Sequence, residues 1–355
     1  MNKQMHISIY LFIIISFSCT EHNFFFTEFV DPFIGTAGTG HTFPGATLPF
    51  GMVQLSPDTR KDGWQNCSGY HSSNPTILGF SHTHLSGTGA IDYGDILLVP
   101  TQGEIQFNPG TEEQPQNGYR SLFNKKTEFA KPGYYSVSLT DHDIKAELTT
   151  SNRVGFHKYS YSDNDSINII VDLAHGLGDE VLESELNIVS NTEISGYRIS
   201  KGWANKQYVY FFIKFSNEIT TSQFELDNSI IKRGSSFKSK SLKGAFTFKN
   251  KLSVPLLAKV GISFVDINGA KNNLINEIPH WDFEKTRKQA NEIWEKELSK
   301  IEVYGGLKEQ KINFYTSLYH AFIAPNLFED FDKRYRGADL KIYDNDSGSN
   351  IYSVF

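Results

Sequence analysis

"QYVYFFIKF" occupies residues 207–215. It is rich in β-branched and aromatic residues and alternates with period two, so it reads as a strand. Outward from it the same texture runs from Asp95 to about Val265: "DILLVP", "GYYSVSLT", "IKAELTT", "RVGFHKYSY", "INIIVDL", "EISGYRIS", "GAFTFK" and "VPLLAKVGISFV". Asn, Asp, Gly and Lys punctuate these runs, with turn signals at 162–166 and 216–218. Many short strands without intervening helices predict an antiparallel β-sandwich rather than a parallel sheet. No repeat of fixed period is present.

Beyond Asn268 the pattern changes. "GAKNNLINEI" reads as helix. Asp282 is placed to cap a second helix, with Phe283, Ala290, Ile293, Trp294, Leu298 and Ile301 near one face. A third helix carries Ile312, Tyr315, Leu318, Tyr319 and Phe322 at spacings of three or four, and Pro325 ends it. The remaining stretch to "YSVF" is half polar loop. Helices this few have no core of their own, so the chain is expected to be incomplete or to pair with another polypeptide.

The composition fits a chain with a sizeable core. Of the 355 residues, 39% are hydrophobic and 14% aromatic, with 28 Phe and 17 Tyr. The net charge is −6, and no basic block is present, which argues against nucleic acid as a partner. The start resembles an export signal. The apolar run Ile7–Phe17 is too short to span a bilayer and suits a signal peptide. It leads to Ser18 and Cys19, the pattern of a bacterial lipoprotein with Cys19 as the lipidated residue. Ser16 departs from the usual Leu three places before the cysteine. Simple secretion and an uncleaved anchor are the alternatives. With Cys19 lipidated, Cys67 has no disulfide partner; a Cys19–Cys67 disulfide is the other possibility.

The loop chemistry concentrates in 62–95, "DGWQNCSGYHSSNPTILGFSHTHLSGTGAIDYGD". Trp64 has the flat face that stacks on a pyranose, or it fills a domain interface. Asp62 would take a pair of hydroxyls, or cap the turn before Gly63. His82 and His84 form H-x-H, and on a strand both would face one way. That pattern admits zinc, loop-holding hydrogen bonds, or contact with a sugar or second domain. No third ligand stands at zinc spacing. His41, in the Gly-rich "GTAGTGH", is a candidate to line a pocket. Neither Gly-rich run has the Walker lysine or Rossmann context. Asp92 and Asp95 fall short of a calcium loop, so turn and loop hydrogen bonding is the default for them.

Several long, collinear strings point to a family. "FVDPFIGTAGTGHTFPGATLPFGMVQLSPDT" (29–59), "CSGYH" (67–71), "GFSHTHLSGTG" (79–89) and "DYGD" (92–95) resemble the N-terminal domain of glycoside hydrolase family 92. So do "EIPHWDFEKTRKQANEIWEKELSKIEVYGG" (277–306) and "FYTSLYHAFIAPNLFEDFDKRYRG" (314–337). The resemblance implies an exported bacterial α-mannosidase with a β-sandwich packed on an (α/α)6 toroid. It implies an active-site calcium and removal of terminal mannose from glycans with inversion. The expected organisation is a signal peptide over 1–19, a sandwich over 24–265, a helical linker over 266–306 and a truncated start of the toroid over 307–355. The family's catalytic carboxylates, and most of its calcium shell, lie beyond the matching strings. No catalytic or metal-binding residue is therefore carried over, and this chain alone is expected to be inactive. Trp64, Asp62, His41, His82 and His84 are the candidate substrate contacts, because the family's sandwich loops reach over the mouth of the toroid. A stand-alone carbohydrate-binding or assembly module is the alternative.

Overall fold

The computed structural model describes residues 25–162, 166–250 and 254–353. Among these, the strands form an eight-stranded and a nine-stranded antiparallel sheet. The strand Gln207–Phe215 sits inside the larger sheet, between Glu193–Lys201 and Leu256–Ser263. Its alternation works in both directions. Val209, Phe211, Ile213 and Phe215 point into the core between the sheets, where they meet Ile167, Ile169, Phe224 and Phe246 of the smaller sheet. Phe212, on the opposite side, packs under a helix. The sandwich is thus built as expected, and it starts earlier than the β texture does. Gln54–Asp58 and Gly79–Ser81 are strands of the smaller sheet and are buried throughout.

Helices cover the outer face of the larger sheet. α1 (Ile267–Glu277) lies so close that a β-carbon on Gly261 would come within 2.3 Å of the Ala270 carbonyl. Glycine is required there for the approach. α2 (Phe283–Leu298) is capped by Asp282, whose side chain accepts from the Lys285 N–H at 2.9 Å. Phe283, Ala290, Trp294 and Leu298 are buried, whereas Ile293 and Ile301 are 43% and 45% exposed. The buried stripe is narrower than the expected face. α3 (Lys308–Ala321) buries Tyr315 and Tyr319 in a cluster with Trp294, Phe43 and Leu48. These helices therefore share a core with the segment that precedes the sandwich.

After α3 the chain doubles back in two short pairings, Asn326–Leu327 with Tyr352–Ser353 and Arg334–Arg336 with Ile342–Asp344. Asp330 ties this segment to the sandwich and to α1, accepting from Ser263 Oγ at 2.6 Å and Asn273 Nδ2 at 2.8 Å. Burial pushes its carboxyl up to about 6, against the pull of those two bonds. The folded chain therefore holds this proton more tightly than the unfolded chain does. The stability that the proton confers is full below the unfolded value near 4 and is lost as pH rises through about 6. Asp330→Asn removes this dependence. Between pH 7 and pH 4 the stability gap should move in favour of the native chain by up to about 3 kcal/mol. Urea midpoints of both chains at several pH values measure it, and a gap that does not move with pH would refute the assignment.

Candidate functional site

Three connecting segments meet at one edge of the sandwich: the glycine-rich loop 35–42, the turn around Trp64, and the loop 86–95. Trp64 opens a 3₁₀ turn, Trp64–Asn66, and is 58% exposed. Its indole N–H donates to the Gly89 carbonyl at 3.1 Å. A β-carbon at Gly89 would come within 2.9 Å of the indole nitrogen, so glycine makes the seat. Cys67 is buried and its thiol donates to the Trp64 carbonyl at 2.8 Å, which stiffens the turn.

His41 lies beneath this indole. The ring centroids are 4.5 Å apart, edge to face. The imidazole is only 6% exposed, yet neither ring nitrogen has a hydrogen-bond partner. Burial, with the nearby charge of His71 second, lowers its proton affinity. Its backbone sits at φ 53, a left-handed conformation that is uncommon for a residue with a β-carbon. His71 Nε2 is likewise buried without a partner. Buried polar atoms are nearly always satisfied, so these nitrogens mark a place where hydrogen-bonding groups belong. Asp62 stands at the rim, with its carboxylate on Arg60 at 2.8 Å and its side chain 76% exposed.

His82 and His84 do not join this group, and the expectation that they contact sugar is corrected by their burial. They follow the strand Gly79–Ser81 rather than lying on it, and they diverge. His82 is fully buried; its Nδ1 donates to the Ile96 carbonyl at 2.7 Å, which leaves Nε2 to accept from His157 Nε2 at 3.0 Å. His157 Nδ1 then accepts from the Tyr159 hydroxyl at 2.7 Å. With both rings neutral every ring nitrogen of this chain is satisfied, and burial lowers His82 to about 4. His84 faces the Gln54 carbonyl at 2.7 Å and Asp58 at 2.8 Å, so neither nitrogen is left for a ligand. Asp58 also accepts from His175 and Ser81. Burial works against its charge, but His84 and His175 outweigh it and hold the carboxyl well below the usual range. Spacing in sequence could not show Asp58 and His175, 117 residues apart, as partners.

Asp92 and Asp95 are both structural. Asp92 accepts from the backbone N–H of Tyr93 and of Trp203, each at 2.8 Å. Asp95 binds Arg198, Thr83 and Gln207. Trp203, 66% exposed, is thereby fixed to the same loop that seats Trp64. Sequence reasoning passed over it because it sits in a turn without periodicity. Among the described residues, no three His, Cys, Asp or Glu side chains converge to hold a cation. The calcium implied by the resemblance finds no ligand set among the described residues. Also among the described residues, no helix is long and apolar enough to cross a membrane. Cys19 and the apolar run 7–17 lie outside the described residues.

The chain belongs to glycosyl hydrolase family 92. The family's N-terminal domain matches residues 29–263 and its catalytic domain matches 269–355. A family GH92 alpha-mannosidase from Bacteroides thetaiotaomicron, solved in complex with mannoimidazole, is 37% identical, with a TM-score of 0.88 over 92% of this chain and 44% of that one. A family GH92 inverting mannosidase from Bacteroides thetaiotaomicron VPI-5482 shares the fold at 22% identity, with a TM-score of 0.81 over 93% of this chain and 44% of that one. An uncharacterized secreted glycosidase of Arthroderma benhamiae (strain ATCC MYA-4681 / CBS 112371) is 28% identical over 333 residues, 84% of this chain and 41% of that protein. The chain spans less than half the length of these relatives.

Proposed function

We propose that this chain is the N-terminal portion of an exo-α-mannosidase that removes terminal mannose from glycoprotein glycans with inversion and depends on calcium. The observation that carries the reading is the exposed Trp64 indole lying over His41, whose two nitrogens are buried and unpartnered. An indole face suits the apolar side of a pyranose, and an unpaired imidazole beside it suits the ring hydroxyls. Support comes from membership of the family and from the 37% identical alpha-mannosidase.

On this reading Trp64 and His41 bind and orient the terminal ring, with Asp62 at the rim. An inverting glycosidase needs two carboxylates roughly 6.5–9.5 Å apart with water between them. None of this chain's carboxylates is assigned to that pair; the pair and the calcium ligands belong to the part of the protein that the relatives carry beyond this match. That part would pack on α3, where Phe314 and Leu307 are 36% and 67% exposed. The proposal includes the division into a signal peptide over 1–19, a sandwich over 24–265, a helical linker over 266–306 and the start of the toroid over 307–355. It also includes export as a lipoprotein through Cys19, to the periplasm or outer membrane of a Gram-negative bacterium.

The test is hydrolysis of an aryl α-mannoside by the complete gene product. Turnover that a chelator abolishes, with β-mannose as the first product seen by NMR, is expected. The 355-residue chain alone should show no turnover. Trp64→Ala in the complete product should lower kcat/KM on the order of 100-fold, about 2.7 kcal/mol. Its stability should change by about 1 kcal/mol or less, since an exposed ring and a single hydrogen bond are lost. A folded complete product that binds mannosides without turning them over would point to the binding-module alternative instead.

A further inference from the structure

His157 stands on the strand Val154–Tyr161 of the larger sheet, with Leu148 and Ala258 directly across from it on the neighbouring strands. Leu148, Ala258 and Tyr159 belong to the apolar core between the sheets. His82 follows Gly79–Ser81 of the smaller sheet. The 3.0 Å bond between the two Nε2 atoms therefore crosses from one sheet to the other inside that core, and both rings are wholly buried. Gly155 makes room for it, since a β-carbon there would lie 2.9 Å from His82 Cδ2.

The bridge has no place for another proton. The Ile96 carbonyl can only accept, so it fixes the proton of His82 on Nδ1, and the rest of the order follows. A proton added at His82 Nε2 would set two N–H donors against each other at 3.0 Å. One added at His157 Nδ1 would meet the Tyr159 hydroxyl, which accepts only by turning its own proton into the apolar core. Few charges reach the pair. Lys158, Glu147 and Lys259 lie on the helical face of the larger sheet, where Lys158 meets Glu284 of α2 and Lys259 donates to the Ile278 carbonyl. Burial is the largest influence on both rings. It lowers His82 to about 4 against the pull of the Ile96 carbonyl, with His84 adding to it and Asp58 opposing. It lowers His157 well below the ordinary imidazole value, with His82 adding to it.

His82 also stands at the base of a loop. Its N–H donates to the Asp95 carbonyl at 2.9 Å, and the Gly94 N–H donates to the Thr83 carbonyl at 2.9 Å. The loop closed by these bonds carries Gly89, whose carbonyl seats the Trp64 indole. The bridge to His157 thus pins the base of that loop to the opposite sheet.

We propose that His82 and His157 form an acid-released latch, which holds the loop 82–96 against the larger sheet while both imidazoles are neutral and frees it when a proton enters. The two histidines are positioning residues and touch no ligand. The sign follows from linkage. An opened loop binds the proton at the ordinary imidazole value near 6.5, the closed one only near 4, so closure is fully favoured above about 6.5 and is lost as pH falls towards 4. The latch stands without the sugar-binding role of Trp64; its effect on turnover rests on that role.

Hydrogen exchange by mass spectrometry, on the complete gene product at about pH 7 and about pH 4.5, tests it without any substrate. After correction for the intrinsic exchange rate, opening of 82–96 is expected to rise on the order of 50-fold at the lower pH. In His82→Gln/His157→Gln each amide supplies one donor and one acceptor and takes no proton, so the rise should be less than about threefold. Protection of 82–96 that does not change with pH overturns the latch, as does an equal rise in the double variant. A rise spread evenly over both sheets overturns it too, because the proton then acts on the whole sandwich. Should the double variant not fold, His157→Gln alone can turn its amide oxygen to a protonated His82, and a rise below about tenfold is then expected. For turnover of an aryl α-mannoside, the acid limb of kcat/KM should move to lower pH in the double variant. If exchange follows the latch and the limb stays in place, the latch stands and the reading of Trp64 falls.

Discussion

Replacing Arg198 with methionine is expected to cost the folded chain about 3–5 kcal/mol. The guanidinium is wholly buried between Asp95, at 2.7 Å, and Asp179, which it meets through two nitrogens at 2.6 and 2.8 Å. It also donates to the Leu173 carbonyl at 3.2 Å. Burial works against its charge, but the two carboxylates outweigh that and hold its proton above the usual arginine range. Methionine fills much of the volume and supplies no charge. Two carboxylates are then left facing each other out of water, which is costly until a proton joins them. The loss should therefore shrink as pH falls from 7 towards 5, because the orphaned pair binds a proton more tightly folded than unfolded. Urea midpoints at three pH values test this. A loss below about 1 kcal/mol, flat in pH, would mean that the triad is a passive filler. The consequence for the site is direct. Arg198 joins the strand that leads to Trp203 to the end of the loop that seats Trp64, so its removal loosens both indoles at once.

What could be read in the sequence follows from which physics leaves a periodic trace. The strand at 207–215 was legible because one face meets a core and the other meets a helix. Asp282 was legible as a cap because a carboxylate before a helical run has one common use. Gln54–Asp58 was not, because the strand is only five residues long and contains a proline, which argues against a strand interior. Ile293 and Ile301 fit the helical spacing expected of a core face, yet they are exposed. Spacing finds a face and cannot say how wide the partner surface is. The site divides in the same way. Trp64 and His41 come together, from loops that the sequence marks only by glycine and aromatic content. His82 and His84 look alike in sequence, yet their rings end on different partners, His157 and the Ile96 carbonyl for one, Asp58 and the Gln54 carbonyl for the other. Trp203 left no signal beyond its own identity; its position depends on Asp92, 111 residues away.

Trp294→Ala is expected to cost about 4 kcal/mol, combining the cavity with a lost hydrogen bond. The indole is fully buried in α2, its N–H donates to the Thr47 carbonyl at 2.7 Å, and its ring lies 4.5 Å from Tyr319 of α3. This cluster is separate from the core between the sheets. The damage should therefore fall on the attachment of α2 and α3, with the sandwich retained. Limited proteolysis between the two helices, in 299–307, should accelerate before the sandwich melts. The site would feel it through the segment preceding His41. Asp31 donates its N–H to Thr316 at 3.0 Å, and His320 donates to the Ile34 carbonyl at 3.0 Å, both on α3. Loosening α3 frees the loop that holds His41 in its strained backbone. Activity of the complete gene product should then fall at least as far as in Trp64→Ala, although Trp294 touches no ligand. Trp294→Phe keeps most of the ring and should lose far less, about 1–2 kcal/mol. If the alanine variant instead melts the whole chain in one step with the loop 299–307 still protected, the helices and the sandwich form one cooperative unit. His41 would then owe its position to the sandwich rather than to α3.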